Sequence, residues 1–134
     1  PTIVAQSLIY PGIGLEQSGG SYEENATAPG LTKAATETYR DLYIPTAESE
    51  NPYARPVLAS YFSGLPPAYV HTAQHDPIRD DGEIYADKLR SAGVDVIYHC
   101  ATNMIHGFLR ARLVGPGGAA EYAKIVDWLC EKLQ

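Results

Sequence analysis

The sequence predicts an α/β fold, a parallel sheet flanked by helices, in one unit covering residues 1–134. Short β-rich apolar runs recur at 3–10, 68–74 and 94–100, and stretches with helical spacing lie between and after them. Glycine and proline punctuate the junctions, the pattern of strands joined through crossover helices. A chain of 134 residues is long enough for one compact core.

The run IVAQSLIY, 3–10, is apolar on both faces, as a strand covered on both sides of a parallel sheet must be, and Pro11 and Gly12 stop it. Without a basic n-region or a small-residue cleavage site, it reads as a strand rather than a signal peptide. Glycines 12, 14, 19, 20 and 30 then mark a long polar loop. In TKAATETYRDLY, 32–43, Ala34, Ala35, Thr38, Tyr39, Leu42 and Tyr43 form the stripe of a helix packed on one face, ended by Pro45. The stretch 46–67, rich in Pro, Ser, Glu and Asn, reads as a surface connector. AYVHTAQ, 68–74, is a strand. A helix comes next, with Asp80 as N-cap, Glu83 as its capping partner, Ile84, Tyr85, Lys88 and Leu89 as inner stripe, and Gly93 as stop. VDVIYHC, 94–100, is the next strand, with a loop from 101 to about 115. The closing helix, 119–133, carries Tyr122, Ile125, Val126, Leu129 and Leu133 on one side.

Ten basic against sixteen acidic residues give a net charge of −6 with no basic cluster, which argues against nucleic acid as partner. No apolar run approaches the roughly 18 residues that span a bilayer. Cys100 and Cys130 have no C-x-x-C spacing and sit in apolar contexts, so they read as buried thiols rather than a disulfide, pointing to a reducing, cytoplasmic setting.

In an open parallel sheet, loops beyond the strand C-termini form the ligand crevice. Asp76 and His106 both fall there. Asp76 comes directly after the strand AYVHTAQ, with Pro77 behind it excluding helical geometry at Asp76 itself. His106 comes after the strand VDVIYHC, one crossover helix later, and Gly107 lets backbone pass close to the ring. An imidazole acting as general base needs its other nitrogen held by a carboxylate, which fixes the tautomer and stabilises the imidazolium. Taken singly, each residue has a plain alternative, a turn Asp and a solvated loop His. His71, His75 and His99 are assigned to strand or rim packing. His71 and His75 share a strand face, but their Cα atoms are roughly 13 Å apart, so one metal ion cannot take both. No metal or cofactor is expected.

The text PPAYVHTAQHDPIRDDGEIYADKLRSAGVDVIYHCATNMIHGF resembles the C-terminal part of hormone-sensitive-lipase-like α/β-hydrolases. QSLIYPG, SYEENA, GLTKAATETYRDLYIP and NPYARPVLA extend the resemblance over nearly the whole chain. It implies the C-terminal half of an α/β-hydrolase fold and cofactor-free hydrolysis of small carboxylic esters by an esterase or lipase with a catalytic triad. The DPIRDDG segment would carry the triad acid at Asp76 and HGF the triad base at His106. Met104, Ile105 and Phe108 either line the substrate pocket or pack the loop; Asp80 and Asp81 read as helix capping and surface charge. The family's nucleophile sits in a G-x-S-x-G elbow. None of Ser18, Ser63 or Ser91 fits, because Glu16, Tyr61 and Leu89 stand where the first glycine belongs.

The expectation is therefore a chain that supplies Asp and His to a serine preceding Pro1, inactive alone. Its partner is the N-terminal half of the enzyme or a second copy, because strand 3–10 would present an open edge. The competing reading is a truncated or degenerate hydrolase module that binds a ligand or partner without catalysis. A metal- or nucleotide-binding α/β domain is disfavoured, since there is no P-loop and PGIGLEQSGG lacks G-x-G-x-x-G spacing.

Overall fold

A computed structural model describes residues 3–44 and 49–134. Three parallel strands, β1 (Gln6–Ile9), β2 (Ala68–His75) and β3 (Val96–Ile105), form one sheet in that order. Helices α1 (Gly20–Glu24), α2 (Lys33–Tyr43), α3 (Arg79–Ser91) and α4 (Pro116–Lys132) surround it, with short 3₁₀ turns at Pro56–Leu58 and Phe108–Ala111.

The period-two alternation of a strand sorts β2 between two helices. Ala68 and Val70 face α3 and pack on Ala86 and Leu89, while Tyr69 faces α4 and packs on Ile125 and Trp128. β2 is buried from Ala68 to Ala73 because it is the central strand, paired with β1 on one side and β3 on the other. Gly82 lets α3 lie directly on the sheet: a Cβ there would collide with the Thr72 methyl.

Several elements differ from expectation for identifiable reasons. β1 is shorter than 3–10, and Ile3 and Val4 are exposed; among the described residues β1 has one neighbouring strand, β2. The polar loop contains a five-residue helix, α1, anchored from outside its own sequence: the Ser21 hydroxyl donates to the Pro77 carbonyl at 2.7 Å and its amide donates to Asp80 at 2.8 Å. Helix α2 is capped by Thr32, whose hydroxyl accepts from the Ala35 amide. It buries Thr36, not the expected stripe; Tyr39, Leu42 and Tyr43 face solvent. Pro45 lies outside the described residues. The N-cap of α3 is Ile78, without a side-chain cap, because the Asp80 carboxylate is engaged by the Ser21 amide. Its inner face runs through Gly82, Ala86 and Leu89, and Ile84 is exposed. Helix α4 buries Ile125 and Trp128, leaving Tyr122 and Leu133 largely exposed. Cys100 is half-buried and Cys130 exposed, both as free thiols.

The most consequential difference is β3, which runs to Ile105 rather than Cys100. Its register against β2 slips between the pairs Ala73↔Ala101 and His75↔Ile105. Asn103 takes the slack in a left-handed conformation (φ 59°), and its amide donates to the Gln74 side chain. Such a bulge re-aims the residues that leave the strand beyond it. The first of these is His106.

Candidate active site

Asp76 and His106 leave the C-terminal ends of adjacent strands, as their sequence positions predicted. His106 Nδ1 lies 2.7 Å from Asp76 Oδ2. The other carboxylate oxygen, Oδ1, accepts the Ile78 amide at 3.0 Å. Asp76 is fully buried, and two donors hold its backbone carbonyl: the Arg79 amide at 3.1 Å and the Asn25 side chain at 3.4 Å. A carboxylate only accepts, so Nδ1 is the donor in this contact and the lone pair of His106 lies on Nε2. Among the described residues, Nε2 takes no hydrogen bond, and the side chain stays about one quarter exposed (24%).

The ring is seated from below by Tyr10, with centroids 4.6 Å apart. Tyr10 follows β1 directly with φ at 37°, an uncommon conformation for a non-glycine residue, which swings its ring under the imidazole. Gly30 brings a second backbone close to His106: a Cβ on Gly30 would stand 2.8 Å from the His106 carbonyl oxygen. Gly107 instead makes the left-handed turn (φ 80°) into the 3₁₀ segment.

Beside His106 opens a mostly apolar cavity of about 330 Å³, lined by Leu15, Leu31, Tyr39, Tyr43 and Ile78 among others. None of Met104, Ile105 and Phe108 lines it. Phe108 is buried against Ala73, Ala101 and Tyr10, Met104 packs at the edge of the same cluster, and Ile105 faces a separate groove with Pro29 and His75. About half of the lining residues come from loop 12–15, α1 and α2, segments that the sequence marks only as loop or amphipathic helix.

Asp81, expected on the surface, is fully buried. Its carboxylate accepts the Tyr22 hydroxyl at 2.7 Å and the Ile13 amide at 2.8 Å, tying loop 12–15 and α1 to α3 around the cavity. Burial pushes the Asp81 carboxyl up, while Tyr22 and the amides of Ile13, Leu15 and Gly14 pull it back. Asp81→Ala strands a buried hydroxyl and a buried amide, so denaturant unfolding should show a loss of about 3 kcal/mol. An unchanged midpoint would mean that loop 12–15 is held by other contacts.

A second polar cluster lies under α4, away from this rim. His71 and His99 are in-register neighbours on β2 and β3, and Glu121 of α4 reaches down to both, at 3.0 and 2.9 Å. Burial, and after it the neighbouring His99, holds the His71 pKa down at about 4, so its imidazole is neutral. Burial opposes the Glu121 carboxylate, but Lys124 and His99 outweigh it and hold Glu121 below the usual carboxylate range.

Comparison with known proteins agrees with this architecture. The α/β-hydrolase fold family matches residues 1–110. Carboxylesterase NlhH of Mycobacterium tuberculosis is 39% identical over 123 residues, covering 89% of this chain and 39% of that protein. Among solved structures, the thermostable esterase of Pseudomonas putida ECU1011 superposes with a TM-score of 0.87 at 35% identity, over 93% of this chain and 41% of that one. The carboxylesterase EstE1, from a metagenomic library, superposes with a TM-score of 0.90 at 29% identity, over 98% and 46%. The chain thus spans less than half the length of these proteins. No described helix is long and apolar enough to cross a membrane. By its family match, its parallel sheet and its esterase relatives, this chain belongs to the α/β-hydrolases, in their hormone-sensitive-lipase-like branch.

Proposed function

We propose that this chain supplies the acid and the general base of a serine carboxylic ester hydrolase, the nucleophilic serine coming from polypeptide outside residues 1–134. The observation that carries the reading is the 2.7 Å contact between His106 Nδ1 and a fully buried Asp76 whose second oxygen is already held. Nε2 is then the free basic atom: it takes the proton of a serine hydroxyl as that oxygen attacks the ester carbonyl. The same nitrogen returns the proton to the departing alkoxide. Asp76 stays ionised throughout and balances the imidazolium.

A nucleophile from elsewhere is favoured because, among the described residues, no serine hydroxyl is hydrogen-bonded to His106, and no serine of the chain sits in a G-x-S-x-G elbow. The outer edge of β1 is unpaired among the described residues, where a further parallel strand can join the sheet. A serine-bearing half of the enzyme, or a second copy of the chain, would dock there. The cavity beside His106 is the acyl or alcohol site, and its size and apolar lining suit a small ester. A cytoplasmic setting is proposed from the two free thiols.

The test is a p-nitrophenyl ester assay on the chain alone and on the chain joined to an α/β-hydrolase half that carries the serine elbow. Turnover is expected only from the joined protein. Turnover by residues 1–134 alone would reveal a nucleophile within them and overturn the external serine. A joined protein that folds and binds substrate but never turns over would favour the competing reading, a non-catalytic binding module.

A further inference from the structure

We propose that His71, His99 and Glu121 form a binding site for a single transition-metal cation, Zn²⁺ above all, with its fourth position open to water. Two imidazole nitrogens and one carboxylate oxygen, one each from β2, β3 and α4, lie within 4.8 Å of one another. The Glu121 Oε2 atom is 3.0 Å from His71 Nε2 and 2.9 Å from His99 Nε2. Ligands about 2.0–2.1 Å from a tetrahedral Zn²⁺ stand about 3.3 Å from each other; the two contacts of Glu121 are close to that spacing, and the two imidazoles, within 4.8 Å, would draw together on the ion.

Hydrogen bonding alone accounts poorly for the cluster. His71 is fully buried; its Nδ1 has no partner, and its Nε2 has only Glu121 Oε2, 3.0 Å away in a contact that falls short of good hydrogen-bond geometry. A buried imidazole nitrogen without a good partner is costly, and a cation on the Nε2 lone pair removes the cost at that nitrogen. His99 Nε2 faces two partners, Glu121 Oε2 at 2.9 Å and Lys124 Nζ at 3.2 Å. One ring nitrogen can donate to the first or accept from the second, not both. With a cation between the three ligand atoms, both nitrogens turn lone pairs to it, and Lys124 keeps its 2.7 Å bond to Glu121 Oε1, orienting the carboxylate from behind. The donor set of two nitrogens and one oxygen favours Zn²⁺, Co²⁺, Ni²⁺ or Cu²⁺ over Mg²⁺ or Ca²⁺.

The site is separate from the Asp76–His106 rim and does not depend on the ester reading. A bound ion would clamp α4 to the sheet at the strand pair it covers. The probes are Co²⁺ and Zn²⁺, added to intact protein stripped with a chelator. The expected result is one equivalent of Co²⁺ per chain with the visible absorption of a tetrahedral centre, displaced by Zn²⁺ and not by Mg²⁺, and a thermal midpoint raised by Zn²⁺. His99→Gln and Glu121→Gln should each weaken Zn²⁺ binding at least about 100-fold, while His75→Gln leaves it unchanged; using two variants guards against one misfolding. No Co²⁺ spectrum at millimolar metal, or affinity unaffected by both variants, would overturn the site.

Discussion

In the protein that includes the serine, His106→Ala is expected to lower kcat for a p-nitrophenyl ester by about 10⁴- to 10⁶-fold, with KM nearly unchanged. The reason is geometric. Nε2 is the basic atom that Asp76 leaves free, and no other described imidazole lies at this rim in contact with the buried carboxylate. Removing it leaves the serine without a proton acceptor in the first step and the leaving group without a donor in the second. Because the side chain lies at the rim and packs mainly on Tyr10, the fold should survive, which a matched thermal midpoint would verify. A loss of less than about tenfold would remove His106 from the chemistry.

Asp76→Asn is expected to cost about 10³- to 10⁴-fold in kcat, for a different reason. Asp76 accepts twice, from Nδ1–H through Oδ2 and from the Ile78 amide through Oδ1. Asparagine has one accepting oxygen. If that oxygen keeps Ile78, the amide NH₂ faces Nδ1 and forces the proton of His106 onto Nε2, the wrong tautomer for a base. If it keeps His106, two donors confront each other at the Ile78 amide in a buried site. The first arrangement avoids the stranded donor and is the one expected, so binding persists while turnover falls. A raised KM at constant kcat would instead assign Asp76 to substrate binding.

The shared rim position of Asp76 and His106 is legible in the sequence because strand ends fix both residues, apolar runs reveal those ends, and the short contexts around them recur across a family. Elsewhere the deciding contact comes from far along the chain. Asp81 looks like a second capping acid in an Asp-Asp-Gly string; its burial depends on loop 12–15 and Tyr22, some 60 residues away, folding over it. Hydropathy ends β3 at Cys100 because Ala101, Thr102 and Asn103 break the apolar run, yet the strand continues through a bulge that no hydropathy pattern signals. Tyr39, Leu42 and Tyr43 obey helical spacing, but spacing does not say whether anything covers the stripe. Along its own strand, His71 has only His75 as a companion imidazole, at a prohibitive distance. The relevant neighbour is across the ladder, His99, and register becomes visible only once the strands are paired.

The central claim is that Asp76 acts on ester substrates only through His106. Its most direct test is kcat for the double substitution Asp76→Asn with His106→Ala, set beside the two single substitutions. If the carboxylate only orients and balances the imidazole, the double variant should be no slower than His106→Ala alone. If instead the two losses multiply, Asp76 contributes independently of His106, and the acid–base pair is not the working unit.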